Sequence, residues 1–481
     1  MAKRNLYIKK SLKSGAETGP KLRRHLGPWQ LTGIGIGGII GSGIFVVTGQ
    51  AAAVYAGPAI ILSFVISAII CLLAGLCYAE LSSMIPLSGG SYSYAYVTLG
   101  EFPAWLVGCS LTTQYLISAA SVAVGWSGYF VSFLKDFGVI FSPTFSQAPL
   151  AYQPETGWQL TGALINVPAI LLVVLLGILV SVGIRAAALF NNIMVFIKIA
   201  ALLFFILLGF SFIHMDNFRP FIPTSETFGQ YGWSGILRAA GLLFYAYIGF
   251  DMVPTLAQEA KKPQTSLPKG VLGSLGVSAF LYILTAIVLT GVVSYKLLNV
   301  PDPMAVVLNA MGPKFFWFGV VMKIAIIVAL ASVLLIQLLS QTRVFFAIGN
   351  DGLIPKCFSR VNSRTHTPLY STIITSIVIL IVSGIFPINI LAELVSIAAL
   401  FLFAIVCLGV LILRYTYPEM KRSFKVPLVP FIPILGIICC VMQMFFLSPV
   451  TWIELASILI IGLIIYFTYS VKHSKLRQKF H

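Results

Sequence analysis

The feature that most constrains this chain is the recurrence of apolar runs of about 20 residues, the length a helix needs to cross a ~30 Å hydrocarbon layer. Twelve such runs can be read, at 30–49, 58–82, 103–131, 167–184, 190–213, 233–258, 271–293, 315–342, 369–386, 389–414, 429–447 and 452–470. Only 9% of the residues are charged, against roughly a quarter in soluble domains, so water is not the solvent for most of this surface. Outer-membrane barrels alternate polar and apolar residues over segments of about ten, and that pattern is missing. The expectation is an all-α integral membrane protein with 12 transmembrane helices, in an inner or plasma membrane.

The 31 Lys and Arg give a net charge of +17, which raises nucleic acid as a partner. They lie in short clusters between apolar runs, without a long basic face, so no nucleic-acid role is expected. The loops on the side of both termini carry 24 of them, the opposite loops carry Lys135, Arg219, Lys296 and Lys314, and three fall inside spans. This asymmetry places both termini in the cytoplasm. Residues 1–28 form a polar tail with no apolar signal-peptide core, and 471–481 form a second tail. The longest loop, 132–166, is too short for a soluble domain, and no GxxxxGK[ST] stretch is present, so ATP-driven transport by this chain is not expected. Seven cysteines lie mostly within apolar runs and without CxxC, and five histidines never adopt HxxxH or HExxH. They read as buried thiols and scattered imidazoles, with no cofactor and no metal.

Two spans are interrupted. The first contains GIGIGGIIGSGIF, with six glycines in the thirteen residues Gly33 to Phe45, and the sixth contains FYAYIGFD, from Phe244 to Asp251. Glycine weakens a helix by up to about 1 kcal/mol per site, and backbone unwinds in a membrane only where it lines a cavity or is covered by protein. Two broken spans five apart are the pattern of inverted five-helix repeats, here 29–213 and 233–414, with 429–470 as two further helices. Gly33-Ile34-Gly35-Ile36-Gly37-Gly38 formally fits GxGxxG, but it opens a membrane span and lacks the strand that a dinucleotide site needs; close helix packing is the plainer use of these glycines. For Gly41-Ser42-Gly43 unwound backbone with φ > 0 is expected, its N–H groups facing a carboxylate.

Lys198 sits well inside the fifth span, in FNNIMVFIKIAALLFFILLGF. Burial disfavours the charged form of a lysine, so this residue suits a proton-coupling role, a hydrogen bond to backbone carbonyls being the plainer alternative. Arg238 and Lys323, nearer span ends, are expected to snorkel. Asp251 and Glu393 are expected to cap freed backbone N–H groups, with cation or amine binding as the alternative.

The strings GIIGSGIFVVTG (38–49), PLSGGSYSYAYVTLGE (86–101), FNNIMVFIKI (190–199), FYAYIGFDMV (244–253) and QTRVFFAIGNDGLIPKCFSRVNSRTHTP (341–368) resemble the amino acid–polyamine–organocation superfamily, closest to bacterial members of its cationic amino acid transporter group. The resemblance runs from about residue 25 to 430. It implies the leucine-transporter fold, with 5+5 inverted repeats plus two C-terminal helices, and secondary transport of amino acids. By position it assigns substrate binding to Ile40, Gly41, Ser42, Gly43, Tyr245, Ala246 and Ile248, and proton coupling to Lys198. Where the cationic group has a glutamate in an LEY string, this chain has TTQY and Gln114; where the group reads AEE, it has Ala257-Gln258-Glu259. A neutral third span favours neutral over cationic amino acids, with Gln114 beside the substrate side chain. Proton symport leads, with proton-independent exchange of amino acids or polyamines as the alternative. A membrane enzyme would need convergent catalytic groups, and a sensor a signalling domain, and neither is found. The partners implied are an amino acid, a proton and the lipid bilayer; one related bacterial group adds a small single-span membrane subunit.

Overall fold

The structure, a computed structural model, describes residues 7–10, 26–85, 89–153, 157–182, 184–257, 259–362 and 367–478. Most of the 1–28 tail, Gln258, and residues 86–88 and 363–366 of two of the motifs lie outside the described residues. Helices of twelve residues or more are α1 (Pro28–Ile39), α2 (Ile60–Met84), α3 (Glu101–Asp136), α4 (Val167–Val182), α5 (Ile184–Gly209), α6 (Gly232–Tyr247), α7 (Pro263–Val292), α8 (Phe316–Asn350), α9 (Leu369–Ile385), α10 (Ile388–Thr416), α11 (Phe431–Phe445) and α12 (Pro449–Ile465).

Among the described residues, eight helical stretches are long and apolar enough to cross a membrane, and three more, in α4, α9 and α11, are apolar but shorter. Side chains such as Phe196, Leu207, Ile381, Phe445 and Ile461 are exposed on their outer faces. Large apolar side chains turned outward in such number suit a lipid surrounding better than water. Proline opens α1, α7 and α12, where its missing N–H is one the first turn leaves unpaired anyway. α3 and α8 run past the expected 103–131 and 315–342. Hydropathy marks where a helix leaves the apolar layer, while its backbone hydrogen bonds continue into polar turns. One departure from the all-helical expectation is a small antiparallel hairpin, Leu150–Gln153 with Gly157–Leu160, inside the 132–166 loop.

Several packed neighbours lie at one interval along the chain. α2 lies along α7, α3 along α8 and α4 along α9, while α1 touches the turn after α6 and α6 touches the turn after α1. Each pair is five helices apart. Carboxylates at the helix ends are satisfied by named partners. Glu80 takes Arg414 at 2.7 Å, Arg422 at 3.2 Å and the Val426 N–H at 2.7 Å; Glu101 takes Arg477 at 2.6 Å and the hydroxyls of Tyr96 and Tyr466. Asp351, just past α8, binds Lys10 Nζ at 2.6 Å through its carboxylate and the Lys475 N–H at 3.1 Å through its carbonyl. Segments near the two ends of the chain therefore meet on one face of the bundle.

Candidate functional site

α1 stops at Ile39. Ile40 is extended, with ψ 98°, and after Gly41 and Ser42 the chain winds again as a wide turn over Gly43–Val47. Carbonyls near the end of α1 lose their helical partners and find others. Lys198 Nζ donates to Gly37 O at 2.7 Å and Ile40 O at 3.3 Å. The Tyr282 hydroxyl lies 2.7 Å from Ile39 O. The expected positive φ is not found: neither Gly41 nor Gly43 adopts it, and Ser42 has φ −60°. The break is made by one extended residue, Ile40, and the chain stays right-handed beyond it. Gly43 is required for space instead, because a Cβ there would collide with the Cα and Cβ of Ala246.

The second break faces the first. α6 ends at Tyr247, Ile248 is extended with ψ 134°, and Gly249 has φ 138° before a short turn of helix over Phe250–Leu256. That φ is glycine's own territory, and a Cβ at Gly249 would also stand 2.5 Å from the carbonyl carbon of Gly38. Asp251 Oδ1 accepts the Gly249 N–H at 3.1 Å, Ser396 Oγ accepts the Tyr245 N–H at 3.1 Å, and Ala246 O lies 3.0 Å from the Tyr282 hydroxyl. Tyr245 and Ser42 share a short hydroxyl–hydroxyl hydrogen bond.

Between the breaks lies a cavity of about 10 Å³, the room of a single water. The first break lines it with Gly38, Ile39, Gly41, Ser42 and Gly43, α6 and its end with Tyr245 and Ile248, α3 with Ser118 and Val122, and α8 with Val333 and Gln337. Anything larger than a water enters such a space only when the surrounding helices part. Of the residues the resemblance assigned, Gly41, Ser42, Gly43, Tyr245 and Ile248 face this cavity. Ile40 and Ala246 instead give their carbonyls to Lys198 and Tyr282. Gln114 stands one turn away from the lining, its Nε2 on Asp251 Oδ2 at 2.9 Å, with the Tyr115 hydroxyl on the same oxygen at 3.3 Å. Sequence reasoning missed Ser118, Val122, Val333 and Gln337. The signal that finds the first two is helical spacing: they follow Gln114 at steps of four on one face of α3.

Lys198 is fully buried, and among the described residues it forms no ion pair. Asp251 caps a freed N–H as expected. Glu393 does not: it accepts the hydroxyls of Ser448 at 2.6 Å and Thr451 at 2.9 Å and lies 3.9 Å from Arg238. The snorkelling expected of Arg238 and Lys323 also gives way. Lys323 is buried and pairs with Asp136 at 2.7 Å, while Arg238 lies over the ring of Tyr55. Partners inside the bundle make a reach to the interface unnecessary.

A model of the amino acid permease family matches residues 26–467. The methylthioribose transporter of Bacillus subtilis is 39% identical over 98% of this chain and the whole of that protein. The branched-chain amino acid permease BcaP of the same organism is 39% identical over 99% of this chain and again its full length. Cationic amino acid transporter 1 of Arabidopsis thaliana is 32% identical over 83% of this chain and 64% of its own. These relatives are transporters, not enzymes. With the interrupted helices, the lipid-facing apolar surface and a match over nearly its whole length, this multi-pass membrane protein belongs to the amino acid permease family of the amino acid–polyamine–organocation superfamily.

Proposed function

We propose that this chain is a secondary transporter that brings neutral amino acids across the cell membrane together with protons. The observation that carries the reading is the fully buried Lys198, whose ammonium holds the carbonyls of Gly37 and Ile40 at the first break. Protonated, it ties α5 to the broken first span. Deprotonated, it loses the charge that strengthens those hydrogen bonds, and the equilibrium between the two faces of the bundle shifts. Backbone groups of Gly41 to Gly43 receive the substrate carboxylate and amine, while Tyr245 and Ile248 wall the site. Among the described residues no acidic one lines the cavity, which favours neutral side chains: a cationic one would be buried without compensation.

The architecture proposed with it is the leucine-transporter type, twelve spans in two inverted five-helix repeats plus two helices. Contacts between helices five apart support the repeat. The reading also has both termini in the cytoplasm: the distribution of Lys and Arg favours that side, and the meeting of Lys10, Asp351 and Lys475 supports the two ends sharing one side. The methylthioribose transporter is as similar as the branched-chain permease, and an uncharged lining also admits a neutral thioether sugar, which makes such a solute the second reading. Uptake of a labelled panel into proteoliposomes, amino acids and methylthioribose together, with and without an inward proton gradient, tests both. Gradient-dependent accumulation of neutral amino acids is expected; equal uptake under both conditions contradicts proton coupling.

A further inference from the structure

Gln337 is buried on α8, one turn from Val333, and both line the cavity between the breaks. Its Nε2 donates to Ser118 Oγ on α3 at 2.6 Å, which fixes the plane of the amide. Its Oε1 is buried and has no hydrogen-bond partner. Across the same cavity the Ser42 and Tyr245 hydroxyls share one hydrogen bond, and Tyr245 also has the Ser118 and Ser121 hydroxyls beside it. The rest of the side-chain wall is apolar, from Val122, Ile248 and Val333. Among the described residues, one buried acceptor on a residue that lines this pocket is therefore without a partner.

We infer that Gln337 sets specificity by accepting a hydrogen bond from a hydroxyl on the substrate, so that the preferred solute is small, neutral and hydroxyl-bearing rather than purely aliphatic. This rests on the transport reading above and narrows its substrate class. The valines and Ile248 offer surface for a methyl group beside that hydroxyl, a combination that threonine has. A site built to hydrogen-bond a substrate hydroxyl rejects the analogue without it far more strongly than an apolar pocket rejects an added hydroxyl. Threonine and valine, nearly equal in shape, therefore report on this one oxygen. A hydroxylated sugar carries the same donor and is the other source of that chemistry.

The test is competition for uptake by threonine, valine and a methylthio-substituted pentose, in the full-length protein and in Gln337→Leu. The unaltered protein is expected to prefer threonine to valine by at least about tenfold, and Gln337→Leu to bring that ratio near one. Ser118→Ala frees the amide to turn and is expected to lower the same ratio less; it keeps the test open if Gln337→Leu fails to fold. A preference for valine, or a ratio unchanged in both variants, overturns the Gln337 assignment and leaves amino acid transport standing; a water satisfying Oε1 would give that unchanged ratio. Uptake of the pentose alone, lost in Gln337→Leu, supports Gln337 and overturns the amino acid reading. Uptake of none of the three overturns both.

Discussion

The two broken spans solve opposite halves of one problem. At the first, a helix ends and its carbonyls are freed; the group that meets them is a cation, Lys198 on α5. At the sixth, a new turn begins and an N–H is freed; the group that meets it is an anion, Asp251, two residues along. Helix C-termini are partially negative and N-termini partially positive, so each break has the side chain that its exposed backbone calls for. The supports also differ in reach. Asp251 caps its own segment and also ties it to Gln114 and Tyr115 on α3, whereas Lys198 reaches the first break only from another helix, α5.

The largest effect is expected where the breaks touch. Gly43→Val places a branched side chain into the backbone of Ala246, and overpacking of a tight core costs about 1–3 kcal/mol or more. Uptake is expected to fall below detection, with a lower melting temperature in detergent. Normal transport by a variant present at normal levels would mean that the breaks do not pack in the working cycle. Asp251→Leu comes next. It leaves the Gly249 N–H and the Gln114 amide without their acceptor, at about 1–3 kcal/mol for each buried group. Thermal unfolding is expected to show the loss, and Asp251→Asn, which keeps an acceptor oxygen, to recover part of it. Equal stability of Leu and Asn variants would remove the capping role. Gln114→Glu is the smallest. Read from the sequence, this change would recruit lysine, arginine or ornithine; in the structure it sets a second carboxylate 2.9 Å from Asp251, away from the cavity lining. The competition profile is therefore expected to stay neutral, and new uptake of lysine would show that Gln114 turns toward the substrate.

How much of this was legible in the sequence depends on the interaction concerned. The apolar, membrane-crossing helices were, because lipid imposes hydropathy on every residue facing it. The breaks were, because the glycines clustered around Ser42, and the single Gly249, weaken a helix wherever they stand. The reason for Gly43 was not, since its constraint is Ala246, 203 residues along, and contact across the fold leaves no local pattern. The same holds for Lys323 with Asp136 and for Glu393 with Ser448 and Thr451. Gln114 was expected beside the substrate, whereas its amide is taken by Asp251, because a resemblance fixes a position along the chain and not the partner its side chain takes. Gln337 carried no motif at all; its unpartnered oxygen shows only once α3 and α8 are side by side.

The central claim is that the cation at the first break couples transport to protons, and Lys198→Met tests it most directly. Methionine keeps most of the volume and removes the donor that holds Gly37 and Ile40. In proteoliposomes loaded with and without internal substrate, under an imposed inward proton gradient, the variant is expected to exchange substrate across the membrane. It is expected not to accumulate substrate above the external concentration. Accumulation at the level of the unaltered protein, driven by the same gradient, would contradict the account, because the proton would then be carried elsewhere.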